Sequence, residues 1–342
     1  MRVAVVVNTY GAISYKVVAK SVVYGLELNN VNATYVELPF NYGFSLQYWW
    51  RDYDLVIVVD IPRPMIVTEA GSITNQGVFT IVYGITEGRL NHDYSGVNKP
   101  NAVIAISKYA YEMLKQSGVP NVVGYLHHML PQDVYEYKPN ELTKRRYFIY
   151  YGGSWWRKGI DEIIATWVRL WLTEPVSRRY RLFIISDRAP SPFGLSEHEL
   201  QLFGIYKLRY PMPRRALLKL ISSAWSVLLP SRIEGFGLPL IEATALGTPV
   251  ITLDCPPMNE LNISSIIKAP AKCFGGNERN SIEGSDIFFK PHIIDRRDLA
   301  TAIFNVMTMD ENELIELAKK GMEDARRNHD PRNYIEFLKY VR

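Results

Sequence analysis

The stretch WSVLLPSRIEGFGLPLIEATALGTPVITL, residues 225–253, decides the fold. It opens on an apolar run, WSVLLP, passes through a glycine-bearing turn and an apolar helical stretch, and closes on a second apolar run, PVITL. Strands that are apolar throughout belong in parallel sheets covered on both faces by helices. Gly235 and Gly237 let the backbone approach a ligand closely, and Pro239 falls where a first-turn proline is tolerated. The helix that follows offers free N–H groups and a positive dipole end, which suit an anion or a polar sugar. Two carboxylates stand out. Glu234 lies in the turn. Glu242 lies in the helix among Leu240, Ile241, Ala243, Ala245 and Leu246, where a buried carboxylate needs a partner. A ribose diol would supply two hydroxyl donors.

The same alternation runs outward in both directions. Toward the N-terminus, strand candidates are RVAVVVN (2–8), NATYVEL (32–38), DLVIVVD (54–60), VFTIVYG (78–84), AVIAIS (102–107) and NVVGY (121–125). Helices are expected over 14–29 and over 107–117, the latter capped by Ser107. PQDVYEYKPNELTKRR (131–146) reads as a polar linker. The series then restarts with RYFIYYG (146–152), a helix from about 158 to 172, RLFIIS (181–186), a segment near 205–210, and helices at about 213–223 and 238–246. The tail is expected to be helical over 295–327 and again over 331–341. Residues 255–290 are turn-rich and read as a long ordered loop.

This organisation is two doubly wound α/β units facing a cleft. The first is expected over 1–140 and the second over 141–328, with a C-terminal helix in 329–342 returning to the first. Length agrees, since 342 residues predict about two domains. Two cysteines exclude a disulfide framework and fit a reducing compartment. The N-terminal apolar run is too short for a signal peptide, and none reaches the roughly 18 residues of a membrane span. The expectation is a soluble cytoplasmic protein.

The net charge of +4 is unevenly placed. Residues 1–140 carry 10 basic and 11 acidic side chains, whereas residues 144–219 carry 15 and 6, a local net of +9. That field favours a phosphate-bearing partner. It permits a nucleic-acid reading, although a solvated helix explains the run from Lys207 to Lys219 better.

The two glutamates of EGFGLPLIE, with seven residues between them and followed by ALGTPVI, resemble the signature of the retaining GT-B glycosyltransferases of family 4. YYGGSWWRKGIDEII resembles that family's Gly turn leading to a Lys-Gly at a helix start, and Asn259-Glu260 its further acidic position. Gly11 and Ser107 match more loosely. The resemblance implies that Glu234 contacts the donor hexose and Glu242 the nucleotide ribose. It implies that Gly235, Phe236, Gly237 and Leu238, with Gly153, Ser154 and Gly11, border the donor. Lys158 and Arg157 would neutralise the departing diphosphate, where negative charge develops. No covalent nucleophile, metal or cofactor is implied.

This sequence departs from the family at three places. The spacing from the family's arginine to its lysine is shortened, with Ser154, Trp155 and Trp156 intervening. The double glycine of the first loop is reduced to Gly11. The histidine after the fourth strand is replaced by Thr86 and Glu87, with His92 further on; these three are the acceptor-side candidates. His92-Asp93 reads either as a hydroxyl activator or as a plain turn, and His127-His128 as loop histidines. Tyr48, Trp49, Trp50 and Arg51 read as a helix packed on the sheet, an acceptor platform or an edge touching a membrane.

The expected function is retaining transfer of a hexose from a nucleotide-diphosphate sugar to a hydroxyl of a glycan, lipid or protein, without metal or nucleic acid. The alternative is a non-catalytic nucleotide or nucleic-acid binder that uses the basic 144–219 segment. Sugar, base, acceptor and oligomeric state are not legible.

Overall fold

A computed structural model describes the chain except for residues 41–42, 138–144, 154–155, 188–193, 281–285 and 342. Two compact units emerge. The first comprises Met1–Tyr135, Arg279–Phe289 and His329–Arg342; the second comprises Glu136–Glu278 and Lys290–Asn328.

In the first unit the elements run β1 (Arg2–Asn8), α1 (Ile13–Glu27), β2 (Asn32–Leu38), β3 (Leu55–Asp60), α2 (Pro64–Thr74), β4 (Phe79–Gly84), β5 (Arg89–Leu90), β6 (Ala102–Ala105), α3 (Lys108–Gln116), β7 (Val122–Tyr125) and α4 (Gln132–Tyr135). Six of the strands form a parallel sheet in the order β2-β1-β3-β4-β6-β7. Val3 to Val7 and every residue of β3 are buried, as their unbroken apolar runs require. Val18, Val22 and Leu26 put one stripe of α1 into the core. The Ser107 hydroxyl caps α3 by accepting from the N–H of Ala110 at 3.0 Å. The prolines of IPRP hide α2 from sequence patterning, yet Pro64 opens that helix, where its missing N–H costs nothing.

The C-terminal segment belongs to this unit. Pro331–Tyr340 is wound as a 3-10 helix rather than an α-helix. Tyr334 and Phe337 are fully buried, and Phe337 meets the Tyr83 ring edge-on at 5.0 Å. Gly25 makes room for this packing, because a Cβ there would lie 2.0 Å from the carbonyl oxygen of Pro331.

The second unit runs β8 (Arg145–Tyr151), α5 (Ile160–Thr173), β9 (Arg181–Ile185), α6 (Glu197–Leu202), β10 (Ile205–Lys207), α7 (Arg214–Ser222), β11 (Ala224–Leu229), α8 (Leu238–Ala245), β12 (Val250–Leu253), β13 (Ile266–Ala269) and β14 (Ala271–Lys272). The chain then passes through β15 (Arg279–Asn280) and β16 (Ile287–Phe289), which belong to the first unit. It returns as β17 (Ile293–Ile294), α9 (Arg296–Thr308) and α10 (Glu311–Asn328). The parallel sheet has the order β10-β9-β8-β11-β12-β13, so the direction of winding reverses between β8 and β11. In the first unit it reverses between β1 and β3. Open α/β sheets bind ligands outside the carboxyl ends of such a pair of strands.

Four expectations need correction. Residues 255–290 are not one loop: they supply β13, which completes the second sheet, and β15 and β16, which join β5 in a small antiparallel sheet. A four-residue stretch such as IIKA gives too little periodicity to betray a strand. The helix expected over 295–327 breaks at Met309, whose backbone is extended, and Asp310 restarts it by accepting from the N–H of Asn312 at 2.9 Å. Residues 44–52 form two 3-10 turns separated by Tyr48 at φ 53°. Cys255 and Cys273 are bonded to each other, with Cα atoms 5.5 Å apart, so the cysteine count no longer speaks for a reducing compartment. Among the described residues no helix is long and apolar enough to cross a membrane.

Candidate functional site

The winding reversal of the second unit brings together the two strongest sequence signals. After β8 the chain turns through Gly152, Gly153 and Trp156–Gly159 into α5; after β11 it turns through Pro230–Gly237 into α8. Lys158 from the first turn and Glu234 from the second form an ion pair, Nζ to Oε1 2.7 Å, with side chains 17% and 13% exposed. Burial pushes the Lys158 ammonium below its ordinary range, while the Glu234 charge opposes that shift and Arg157 adds to it. Ser231 donates its hydroxyl to the same Glu234 oxygen at 2.9 Å. The Tyr150 hydroxyl is buried beneath this turn, and burial first, then Glu234 and Asp187, holds its proton on.

A residue that motif reading passed over organises this arrangement. Arg232, 8% exposed, donates to the carbonyl of Trp156 at 2.6 Å, to both Asp161 oxygens at 2.7 and 2.9 Å, and to Glu162 at 2.8 Å. Its guanidinium also lies over the Trp156 ring, and its backbone N–H donates to the carbonyl of Arg157 at 2.8 Å. One buried cation therefore fastens the Lys158 turn to the start of α5. Gly159 completes the turn at φ +73°; a Cβ there would meet the carbonyl oxygen of Pro230 at 2.4 Å. The tight spacing of Lys158 and Gly159 is thus a packing requirement between the two loops.

Glu242 does have a partner inside the protein. Arg214, the first residue of α7, grips it with both nitrogens, at 2.7 and 3.2 Å, and the Glu242 side chain is only 7% exposed. Tyr151 lies near enough to feel the Glu242 charge and donates its hydroxyl to the carbonyl of Pro239 at 2.9 Å. Gly237 takes φ +97° at the start of α8, Gly235 and Phe236 are buried, and Leu238 opens the helix. Gly153 lies beside Asp187. Ser154 lies outside the described residues. Beyond β9 and β10, Asp187, Glu197, Lys207 and Tyr210 line an open pocket of about 330 Å³. Within the basic segment, Lys158, Lys207 and Arg214 each pair with a carboxylate.

The acceptor-side candidates sit in the first unit and do not act as one group. Thr86 is buried and turns inward, its hydroxyl donating to the carbonyl of Gly88 at 2.6 Å. Glu87 offers its carbonyl to the Tyr109 hydroxyl at 3.1 Å. His92 pairs with Asp286 through Nε2 at 2.5 Å, not with Asp93, which caps its own turn by accepting from Ser95. Asp286 also receives two hydrogen bonds from Arg63, and the Arg63 guanidinium, with the His92 hydrogen bond, holds its carboxyl well below the ordinary range. The inserted strand β16 thereby carries a carboxylate to the loop after β3. Close beside it Asp60, 6% exposed at the end of β3, is raised to about 6, chiefly by burial. Gly11 closes the turn after β1, its N–H donating to the carbonyl of Asn8 at 2.9 Å.

His128 is a core residue rather than a loop one. It is 3% exposed, meets the Tyr83 hydroxyl at 3.0 Å and offers its carbonyl to His329 at 2.8 Å. Trp50 is buried, whereas Tyr48 is exposed beneath the Arg51 guanidinium. Cys255, Cys273 and His292 are near enough to share a metal ion. The two sulfurs are bonded to each other, however, and both His292 nitrogens are occupied, by the Phe274 N–H and the carbonyl of Pro256.

Two doubly wound units, with a cation and a carboxylate meeting at a winding reversal, define the class as the GT-B glycosyltransferase fold. A sucrose-phosphate synthase from Thermosynechococcus elongatus superposes with a TM-score of 0.66 at 14% identity over 100% of this chain and 98% of its own. An Escherichia coli trehalose-6-phosphate structure bound with UDP-2-fluoro glucose does so at 0.64 and 12%, over 100% and 98%. Residues 132–268 match the family described as glycosyl transferases group 1. Over 120 residues the chain is 33% identical to the O-antigen chain mannosyltransferase RfbU of Salmonella typhimurium, spanning 34% of this chain and 32% of that protein. The match thus extends over about a third of the relative's length.

Proposed function

We propose that the protein transfers a hexose from a nucleotide-diphosphate sugar to an acceptor hydroxyl with retention at the anomeric carbon. The observation that carries this reading is the Lys158–Glu234 pair at the β8/β11 reversal, inside the segment that matches the glycosyltransferase family. A preorganised cation in a partly dry site stabilises negative charge as it develops on a departing diphosphate. Lys158 is such a cation, with Arg157 beside it. Glu234 keeps Lys158 charged before the donor arrives and then takes hydroxyls of the hexose. The α8 N-terminus and the Gly235–Gly237 backbone face the phosphates, and the nucleoside lies toward Arg214 and Glu242.

In this reading no metal takes part, because Lys158, Arg157 and helix N-termini supply the positive charge. The acceptor is held by the first unit, near Asp60, Arg63 and His92. The named relative makes mannose the first sugar to test. The reading also keeps the chain in the cytoplasm.

The test is incubation of the purified chain with a panel of nucleotide sugars, GDP-mannose and UDP-glucose among them, scored by thermal shift and by slow donor hydrolysis. A response to one donor and none to oligonucleotides is expected. Binding of oligonucleotides without any donor response would instead establish the nucleic-acid reading.

A further inference from the structure

The short β14–β17 ladder leads to the disulfide. Ala271 pairs with Ile294 and Lys272 with Ile293 in antiparallel register. Next along are Cys273 and His292, where both sulfurs and a ring nitrogen fall within 4.8 Å of one another. Cys273 is bonded to Cys255, 18 positions earlier and just past the carboxyl end of β12. His292, 1% exposed, braces three segments. Its Nδ1 accepts from the N–H of Phe274 at 3.2 Å, so its Nε2 carries the proton and donates to the carbonyl of Pro256 at 3.0 Å. Burial lowers the imidazole to about 4, which keeps it in that neutral form. Its backbone N–H donates to the carbonyl of Arg232 at 2.9 Å. Pro256 and Phe274 directly follow the two bonded cysteines, and Arg232 stands two residues before Glu234, whose charge is felt at the imidazole. Ile294 reaches the other turn: a Cβ at Gly159, beside Lys158, would lie 3.2 Å from its side chain.

Resting on the nucleotide-sugar reading, we propose that the Cys255–Cys273 bond is an exchangeable latch on the Glu234 turn, with His292 the positioning residue through which it acts. That reading keeps the chain in the cytoplasm, where a protein disulfide is usually transient and redox-sensing. A small dithiol opens the latch. Its thiolate attacks the sulfur of Cys273, which is partly exposed, and the fully buried Cys255 leaves as a thiolate. The second thiol then displaces Cys273, and the reductant departs as a disulfide. Two electrons and two protons pass to the cysteines. Opening unties Cys255 and Pro256 from Cys273 and Phe274, so the two groups that hold the His292 ring no longer move as one. The brace beneath Arg232 slackens, and the Glu234 turn loses its fixed geometry.

The alternative is that the bond only stabilises the fold. The experiment separating the two is calorimetry with GDP-mannose and UDP-glucose on the full chain, oxidised by glutathione disulfide or reduced by dithiothreitol, well below both melting temperatures. Iodoacetamide labelling and mass spectrometry record the state of the bond. For the donor that binds the oxidised chain, reduction is expected to weaken affinity about fivefold, the size of one lost hydrogen bond, and reoxidation to restore it. Cys255→Ala/Cys273→Ala should bind like the reduced chain and ignore both reagents. His292→Phe keeps a ring but loses both ring hydrogen bonds, and should bind weakly in either state. Should a variant fail to fold, the reversible change in the wild-type chain still decides. A shift in melting temperature with equal donor affinity in the two states overturns the inference and leaves the donor reading intact. Failure of both nucleotide sugars to bind either form overturns the donor reading itself, and this inference with it.

Discussion

Lys158 and Glu234 stand on turns after different strands, yet their charged atoms are 2.7 Å apart at the point where the second sheet changes its direction of winding. The Glu234 charge opposes the burial that pushes the Lys158 ammonium below its ordinary range. The pair predicts a separation of roles. Lys158→Ala should lower turnover by about 100-fold or more, the usual cost of removing one preorganised donor. It should also destabilise the fold, because Glu234 loses its cation. Glu234→Gln should alter sugar choice and turnover. The double variant Lys158→Met/Glu234→Gln should recover stability and stay inactive. Thermal melts and donor kinetics on the four proteins check this, and an active double variant would refute it.

Arg232 is expected to matter more than its place outside the motif implies. It is buried against two carboxylates and the carbonyl of Trp156. Removing one partner of a buried ionic cluster costs about 3–5 kcal/mol. Arg232→Met should therefore lower the denaturant midpoint strongly and reduce turnover as the Lys158 turn loosens. Retention of both would show that the turn is held by other contacts.

Acid should weaken the fold early. His128, His292 and His329 are lowered to about 3, 4 and 4, each chiefly by burial. A base with a depressed folded-state value contributes stability that is present above its unfolded value, about 6.5, and is lost as pH falls toward the folded one. Unfolding free energy should therefore fall between pH 6.5 and 4, by up to about 1.4 kcal/mol per pH unit for each histidine. Asp60 has the opposite sign. Raised from 3.8 to about 6, it favours the fold below its unfolded value, and that contribution is lost as pH rises through about 6. Asp60→Asn should stabilise the chain at pH 7 and have little effect near pH 4. Urea titrations at several pH values measure both trends.

Transfer should persist in excess EDTA. The Asp52-Tyr53-Asp54 sequence resembles a metal-binding pair, but Asp54 accepts from the Arg2 N–H at 2.6 Å, at the amino end of β3. Ligands collect at the opposite end, about 20 Å away for a six-residue strand. Asp52→Asn should be near normal. Loss of turnover on chelation, restored by Mg²⁺ or Mn²⁺, would reject the metal-independent reading.

What the sequence by itself determined was whatever a few neighbouring residues encode. The apolar runs of β1, β3, β8 and β11 announced strands covered on both faces. Gly235, Gly237 and Pro239 announced a turn into a helix, and the spacing of Glu234 and Glu242 carried the family resemblance. Period and turn chemistry act over one or two turns of chain, so they survive in one dimension. The partners did not. Arg214 and Glu242 are 28 positions apart, and His92 and Asp286 are 194 apart. Nothing local distinguishes Arg214 from Arg215, or Asp286 from any other turn aspartate. Strand order decides which loops meet, and only then can a buried carboxylate find its cation. The placement of residues 279–289 in the first unit and the Cys255–Cys273 bond were settled in the same way. Each depends on two distant segments being brought within a few ångströms, a property of the packed chain and not of either segment.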